Sequence, residues 1–374
     1  MKKVLAVLLA AAMTFSLAAC GNDSKETKAP ETKAAESKAD ETKAAESKAD
    51  ETKAAESKAD ETNAAGPAAG VPTLETAVKD VNGDGKVVVG YISKNFTDVF
   101  HIAINKLAED TFTQWAADGK IDEFTGVLNG ETKGEVQVNL ANDCIQRNCD
   151  FVIILPAEYD TSDKAVTTMV EAGINVLVVN SETASTRDMA LALSISDDVE
   201  AGEMLGNWVL EKCPDGGKYL HCQGAPGNSA MLARTEGIHN VLDSHSEFEM
   251  IGEAYNEEWS ADSAVNQATE ALTKYGDELV AVVCDNDDMS SAVQRYMNNN
   301  GRSDMICVGV DGNEGPLQMV KDGELGATVY QDGVGQLQQA IDIIDAIISG
   351  TDVPEIQPIP FILVTAENVD QYLK

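Results

Sequence analysis

From Lys86 onward, short runs of β-branched and aliphatic residues alternate with longer stretches whose apolar side chains recur every three or four positions. The first pattern predicts strands and the second amphipathic helices, so the chain should be built of βαβ units with parallel sheets. Strands are expected at Val87 to Ile92, Phe124 to Leu128, Phe151 to Leu155 and Asn175 to Val179. After Ser196 the rhythm resumes with Lys218 to Cys222, Glu249 to Ala254, Leu279 to Cys284, Met305 to Val310 and Ala327 to Tyr330. Between the strands, Val99, Ile102, Ala103, Leu107 and Trp115 should share one helical face, and Ala165, Val166, Met169 and Val170 another. About ten strands exceed a typical single sheet. Two α/β lobes are the economical arrangement.

Ligands of open α/β sheets bind beyond the carboxyl ends of the strands, and those ends carry short polar residues here. Val176 to Val179 ends in Asn180, Ala281 to Cys284 leads to Asn286, Ile306 to Val310 leads to Asp311, and Thr328 to Tyr330 ends in Gln331. Lys218 to Cys222 runs into Gln223-Gly224-Ala225-Pro226-Gly227-Asn228-Ser229, with Arg234 on the following helix. The set is rich in amides, holds one cation and lacks an evident nucleophile with its base. It suits a neutral polyol better than a phosphate. Asn286 and Asp311 would serve equally well as caps of the helices that follow them.

The N-terminal segment has a different composition. Lys2 and Lys3 precede an apolar run from Val4 to Ala12, the layout of a signal peptide over residues 1–19, and the run is too short to span a bilayer. Leu17-Ala18-Ala19-Cys20 is similar to a bacterial lipoprotein processing site, which implies that Cys20 is acylated and anchors the chain at the extracytoplasmic face of the cell membrane. The plain alternative is a secreted protein cleaved near Ala19. Glu-Thr-Lys-Ala-Ala-Glu-Ser-Lys-Ala-Asp then repeats from Glu31, Glu41 and Glu51. With Ala as its only apolar residue the repeat can bury no shared core, so residues 20–75 read as a solvated tether.

Charge narrows the partners. The chain carries 27 Lys and Arg against 63 Asp and Glu. Residues 1–20 account for +2, 21–62 for -4 and 63–374 for -34, so the acidity belongs to the folded part. Such a surface repels polyphosphate and excludes nucleic acid as a partner. Asp80-Val81-Asn82-Gly83-Asp84-Gly85 opens like a calcium loop, but Tyr91 stands where a bidentate Glu belongs, so a turn without metal is expected. The four His residues form no metal-spaced pair, and no zinc-protease, P-loop or nucleophile-elbow motif is present. Neither metal nor cofactor is expected. Of the six Cys after Cys20, Cys144 with Cys149 or Cys213 with Cys222 could close short disulfide loops, whereas Cys284 and Cys307 fall at core strands.

The runs Cys284-Asp285-Asn286-Asp287-Asp288-Met289, Val308-Gly309-Val310-Asp311-Gly312 and Gly326-Ala327-Thr328-Val329-Tyr330-Gln331 occur in that order. Together they resemble the type 1 periplasmic binding proteins, in particular the ribose-binding and glucose/galactose-binding components of ABC importers, over residues 86 to 374. The resemblance implies two doubly wound parallel-sheet lobes, residues 86–196 plus 332–360 and 197–331 plus 361–374, joined by three hinge crossovers near Ser196, Asp332 and Pro360. It also implies a monomer that performs no chemistry, closes on a small neutral sugar or polyol, and delivers it to ABC permease subunits.

Residue by residue, Phe100 matches an aromatic that stacks on one sugar face and Trp259 its partner on the other. Asn180, Arg234, Asn286, Asp311 and Gln331 match contacts to the sugar's edge, and Asp98 an acid used by the glucose/galactose branch. Asn95, Ser181, Glu182 and Met289 are further candidates for the cleft. The chain departs from the glucose/galactose branch at Asn228 (His there) and Ala230 (Asp there), and from the ribose branch at Asn180-Ser181 (Asp-Arg there). The sugar's identity therefore stays open. Two other functions are consistent with these residues: presentation of a ligand to a membrane sensor, and sugar hydrolysis with Asp98 and Asp311 as the two carboxyls.

Overall fold

The computed structural model describes residues 71–373; the expectations for the signal peptide, Cys20 and the repeats fall outside them. The first lobe carries strands β1 (Val88–Ser93), β2 (Glu123–Asn129), β3 (Phe151–Ile154), β4 (Asn175–Val179) and β5 (Ala192–Ser194), alternating with helices α1 (Val99–Ala117), α2 (Gly134–Gln146), α3 (Asp163–Glu171) and α4 (Thr186–Met189). The second begins with α5 (Asp198–Lys212) and continues through β6 (Gly217–Gln223), α6 (Ser229–Leu242), β7 (Phe248–Tyr255), α7 (Ala261–Tyr275), β8 (Leu279–Cys284), α8 (Asp287–Asn299) and β9 (Ile306–Val308). The chain then runs through β10 (Val310–Asp311), α9 (Glu314–Asp322), β11 (Ala327–Tyr330), α10 (Gly333–Ser349) and β12 (Ile362–Thr365).

The first sheet has the order β2-β1-β3-β4-β5 and the second β7-β6-β8-β9, all parallel. Each is covered on both faces, which is why β1, β3 and β4 are apolar runs buried throughout. In the first lobe Ile104 and Phe112 of α1 join Leu337, Ile341 and Ile344 of α10 on one face. Ala141 of α2 and Val166 and Met169 of α3 fill the other. In the second lobe α7, α8 and α9 cover one face, and α5 and α6 the other. The main chain passes between lobes three times: from β5 to α5, from β11 to α10, and from α10 to β12.

Four elements differ from the sequence expectation. The strand expected over Met305 to Val310 is interrupted at Gly309, so that β9 ends the second sheet while β10 joins β11 and β12 in a small third one. A Cβ at Gly309 would run into the Asn286 carbonyl, and the buried Asp287 carboxylate takes the Gly312 amide at 2.8 Å, which together turn the chain away. β5 and β12 have no counterpart among the expected strands; β5 extends the first sheet parallel to β4, and β12 pairs with β11 antiparallel. The helical face proposed for α1 is only partly right, since Leu107 and Trp115 do pack against the core. Val99 and Ile102 are each 50% exposed, whereas Phe100, His101, Ile104, Asn105, Ala108 and Phe112 are buried. Phe100, Ile104, Ala108 and Phe112 follow the same spacing one position away, and the larger rings set the rotation. The face proposed for α3 is buried as expected.

The loop at Asp80 closes on itself. The Asp80 carboxylate accepts from the Gly83 and Gly85 amides at 2.6 and 2.9 Å, and Asn82 Oδ1 accepts from the Asp84 amide at 2.9 Å. All six cysteines among the described residues are free thiols, so neither short disulfide loop is formed.

Helices α5 and α6 meet through glycines: a Cβ at Gly237 would overlap the Val199 carbonyl, and one at Gly202 the Arg234 carbonyl. This close approach brings Arg234 beside Asp198. Gly237→Ala is therefore expected to destabilise the protein by about 1–3 kcal/mol through overpacking, read as a lowered midpoint of urea or thermal unfolding. Because the donors and acceptors of the Asp80 loop already satisfy one another, millimolar calcium is expected to leave that midpoint unchanged. A calcium-dependent rise would locate a metal in the loop.

Candidate functional site

The eight residues singled out in the sequence, Asp98, Phe100, Asn180, Arg234, Trp259, Asn286, Asp311 and Gln331, line one cavity between the lobes, together with Lys94, His101 and Ala230. They reach it because every supporting strand ends there. Lys94, Asp98 and Asn180 follow the first sheet's β1 and β4, and Asn286 follows β8. In each sheet β1 or β6 sits where the strand order reverses, the point at which open α/β sheets leave a crevice. The lobes touch beside the cavity. The Tyr159 amide donates to the Gly227 carbonyl (2.7 Å), Asn228 Nδ2 to the Ala157 carbonyl (2.8 Å) and the Glu182 amide to Ser229 Oγ (3.0 Å).

Several of these side chains are held in costly backbone conformations. Asn180 has φ 71°, Trp259 φ 60° and Asp311 φ 145°, all in the region that favours glycine. Non-glycine residues persist there only when surroundings over-determine them, and such positions concentrate where ligands are gripped. Trp259 is turned so that its six-membered ring lies on Gly224, where a Cβ would overlap it, and the residue is 8% exposed. Phe100 packs against Gly333 in the same manner and meets the His101 ring edge-on at 5.3 Å.

The polar groups are oriented from behind. Asn180 donates to Gln336 Oε1 at 3.2 Å, and Gln336 in turn donates to Ser196 Oγ at 2.8 Å. Arg234 donates through Nε to Asp198 Oδ1 (2.8 Å) and through Nη2 to Gln331 Oε1 (3.2 Å). Its guanidinium carbon lies 5.9 Å from the Trp259 ring centroid. Asn286 does cap α8, accepting from the Met289 amide at 3.1 Å, and lines the cavity as well. Asp311 caps nothing; among the described residues its carboxylate accepts only from Asn313 Nδ2, at 3.2 Å. Asn95, Ser181, Glu182 and Met289 do not line the cavity: Asn95 holds the Asp98 amide, Ser181 and Glu182 face a neighbouring cavity, and Met289 is core.

Two polar lining residues were not found from sequence. Lys94 is buried and reaches Ser181 Oγ at 3.0 Å and Asn180 Oδ1 at 3.4 Å. Burial lowers its ammonium to about 8, a fall that Asp98 limits. His101 Nδ1 lies 2.8 Å from Asp98 Oδ2. Burial alone would raise the Asp98 carboxyl, yet His101, Lys94 and the Phe100 amide hold it below its ordinary value. Burial lowers His101. An ionised carboxylate only accepts, so the imidazole proton sits on Nδ1 and Nε2 is an acceptor. The Asp311 carboxyl is pushed well up by burial and by the charge of Asp98.

What the cavity lacks is as specific as what it holds. Among the described residues, His101 Nε2 and Gln331 Nε2 are buried without a hydrogen-bond partner. Such groups cost free energy unless a partner arrives. One is an acceptor and the other a donor. A ligand hydroxyl can serve either.

Comparison with known proteins agrees with this architecture. A family model described as periplasmic binding protein domain matches residues 67–352. A xylitol-binding protein of Mycolicibacterium smegmatis is 28% identical over 63% of this chain and 66% of its own length. The ribose import binding protein of Salmonella typhimurium is 26% identical over 77% of this chain and 94% of its own. Among solved structures, an ABC transporter solute-binding protein of Bacillus halodurans with bound myo-inositol superposes with a TM-score of 0.68 at 25% identity, covering 78% of this chain and 98% of that one. With this match, and two parallel-sheet lobes enclosing a polar cavity at their strand ends, the chain belongs to the periplasmic binding protein family and has the type 1 fold.

Proposed function

We propose that this protein is the extracytoplasmic, lipid-anchored binding component of an ABC importer, that it holds one neutral monosaccharide or polyol between its lobes, and that it hands this ligand to the permease. The observation that carries the reading is the cavity itself. Aromatic faces from both lobes are combined there with amides, carboxylates and two unpartnered polar atoms. Pyranose or cyclitol C–H groups lie well against the rings of Phe100 and Trp259, and ring hydroxyls supply the donor that His101 needs and the acceptor that Gln331 needs. The relatives named for xylitol and ribose, and the relative solved with myo-inositol, support the same ligand class.

In this reading the lobes, residues 86–196 plus 332–360 and 197–331 plus 361–374, move about the three crossovers. The contacts at Gly227, Asn228 and Ser229 form on closure. Affinity is then the contact energy less the cost of populating the closed state. The leader sequence and Cys20 support export and acylation; mass spectrometry of the membrane-extracted protein should find acyl chains on an N-terminal Cys20, and an unmodified terminus would remove the anchor.

A thermal-shift panel of monosaccharides and polyols tests the ligand class. A ligand at 100 times its Kd adds about 2.7 kcal/mol of stability, and turnover of a bound sugar would replace transport by hydrolysis. Trp259→Ala is expected to weaken binding of the panel's best ligand about tenfold or more through lost stacking; an unchanged Kd would remove Trp259 from the site. Because His101 must stay neutral to accept, affinity is expected to be lost as pH falls through its lowered pKa. That loss should be absent in His101→Gln, with calorimetric titration as the readout.

A further inference from the structure

A chain of charged side chains runs from the surface to the back of the cavity without entering it. On α6, His239 Nδ1 meets Asp243 at 2.9 Å and its Nε2 meets Glu253 Oε1 of β7 at 2.8 Å. The same Glu253 oxygen lies 3.0 Å from Nδ1 of His221 on β6, and His221 Nε2 lies 2.9 Å from Asp285 Oδ1 at the end of β8. His221 and Asp285 are fully buried. Asp285 is where this chain meets the site. Its second carboxylate oxygen accepts from the Gly224 amide at 2.7 Å, its carbonyl accepts from Arg234 Nη1, and its neighbour is Asn286. Gly224 is the surface on which the Trp259 ring lies.

We propose that the His221–Asp285 pair is a positioning element of the ligand site: from outside the cavity it locks the ends of β6 and β8 so that Gly224 seats Trp259 and the Asp285 carbonyl aims Arg234. The proposal rests on the reading that this cavity binds ligand. The physical reason is donor arithmetic. An imidazole between two carboxylates satisfies both only when it carries two protons. Burial opposes that charge, but Asp285 and Glu253 outweigh it and push His221 up to about 9. Glu253 is held low by its bond to His221, against burial, and by His239. Loss of one His221 proton leaves the imidazole unable to donate to both carboxylates, which loosens the network that holds Asp285, the fully buried acid that fixes Gly224. The contribution of His221 to stability is therefore complete below its ordinary value of 6.5 and is lost as pH rises through about 9.

The test uses Trp115→Phe, Trp208→Phe protein, in which Trp259 is the sole tryptophan, with emission excited selectively through the indole and without ligand. Its emission is expected to move to longer wavelength as pH rises through about 9. With His221→Gln added, emission should already be shifted at pH 7 and lose that transition. Lys94, which titrates near 8 and lies 6.0 Å from the ring, is common to both proteins and cancels in the comparison. Both His221→Gln and the isosteric Asp285→Asn should also weaken the thermal-shift panel's best ligand about tenfold with far-UV circular dichroism unchanged. Identical emission profiles, or a lowered melting temperature with an unchanged Kd, would overturn the proposal and leave the pair a stabilising one only. Should His221→Gln not fold, Asp285→Asn supplies both readouts. If no panel sugar binds the parent protein, that failure falls on the binding reading, and the emission profile still decides the positioning role.

Discussion

A parallel sheet can be covered on both faces by its own helices, but nothing in a βαβ unit covers the carboxyl ends of its strands. The residues placed there must be polar enough to face water and must find partners if water is removed. In this protein two sheets present those ends to each other. The contact at Gly227, Asn228 and Ser229 narrows the gap to a small cavity, and burial then acts on every group inside it. It lowers Lys94, lowers His101, raises Asp311 and leaves one acceptor and one donor unpaired. The cavity's chemistry is a consequence of desolvating strand ends.

Rigidity behind the cavity matters as much as its lining. Trp259, Asn180 and Asp311 sit in strained backbone that only a well-determined surrounding can maintain. Gly224 beneath Trp259, Gln336 behind Asn180 and the Asp287–Gly312 bond beside Asp311 are those surroundings. Arg234 is likewise fixed from three sides, by Asp198, Asp285 and Gln331. A site preorganised in this manner spends little of its contact energy on ordering side chains when ligand arrives.

Much of this was legible in the sequence because strand ends announce themselves. Apolar β-branched runs closing in Asn180, Asn286, Asp311 and Gln331 place those residues at one end of the sheets before any coordinate is known. Helical rotation is harder to read. Val99 and Ile102 were as apolar as Phe100 and Ile104, and only packing against α10 and β1 selects between two faces one residue apart. Lys94 carries no motif, since a lysine after a strand reads as a surface charge. His101 did leave a signal, three residues after the capping Asp98 and on the face of Ile104 and Ala108. His221 and Asp285 lie 64 residues apart. Their pairing depends on neighbouring strands and has no local signature.

The central claim is that a small uncharged ring lies between Phe100 and Trp259 when the lobes are closed. A crystal structure grown with the tightest-binding sugar or polyol tests it most directly. Density for one ring stacked between those two side chains, with hydroxyls at His101 Nε2 and Gln331 Nε2, is the expected result. A ligand bound elsewhere on the molecule, with this cavity filled only by water, would contradict it.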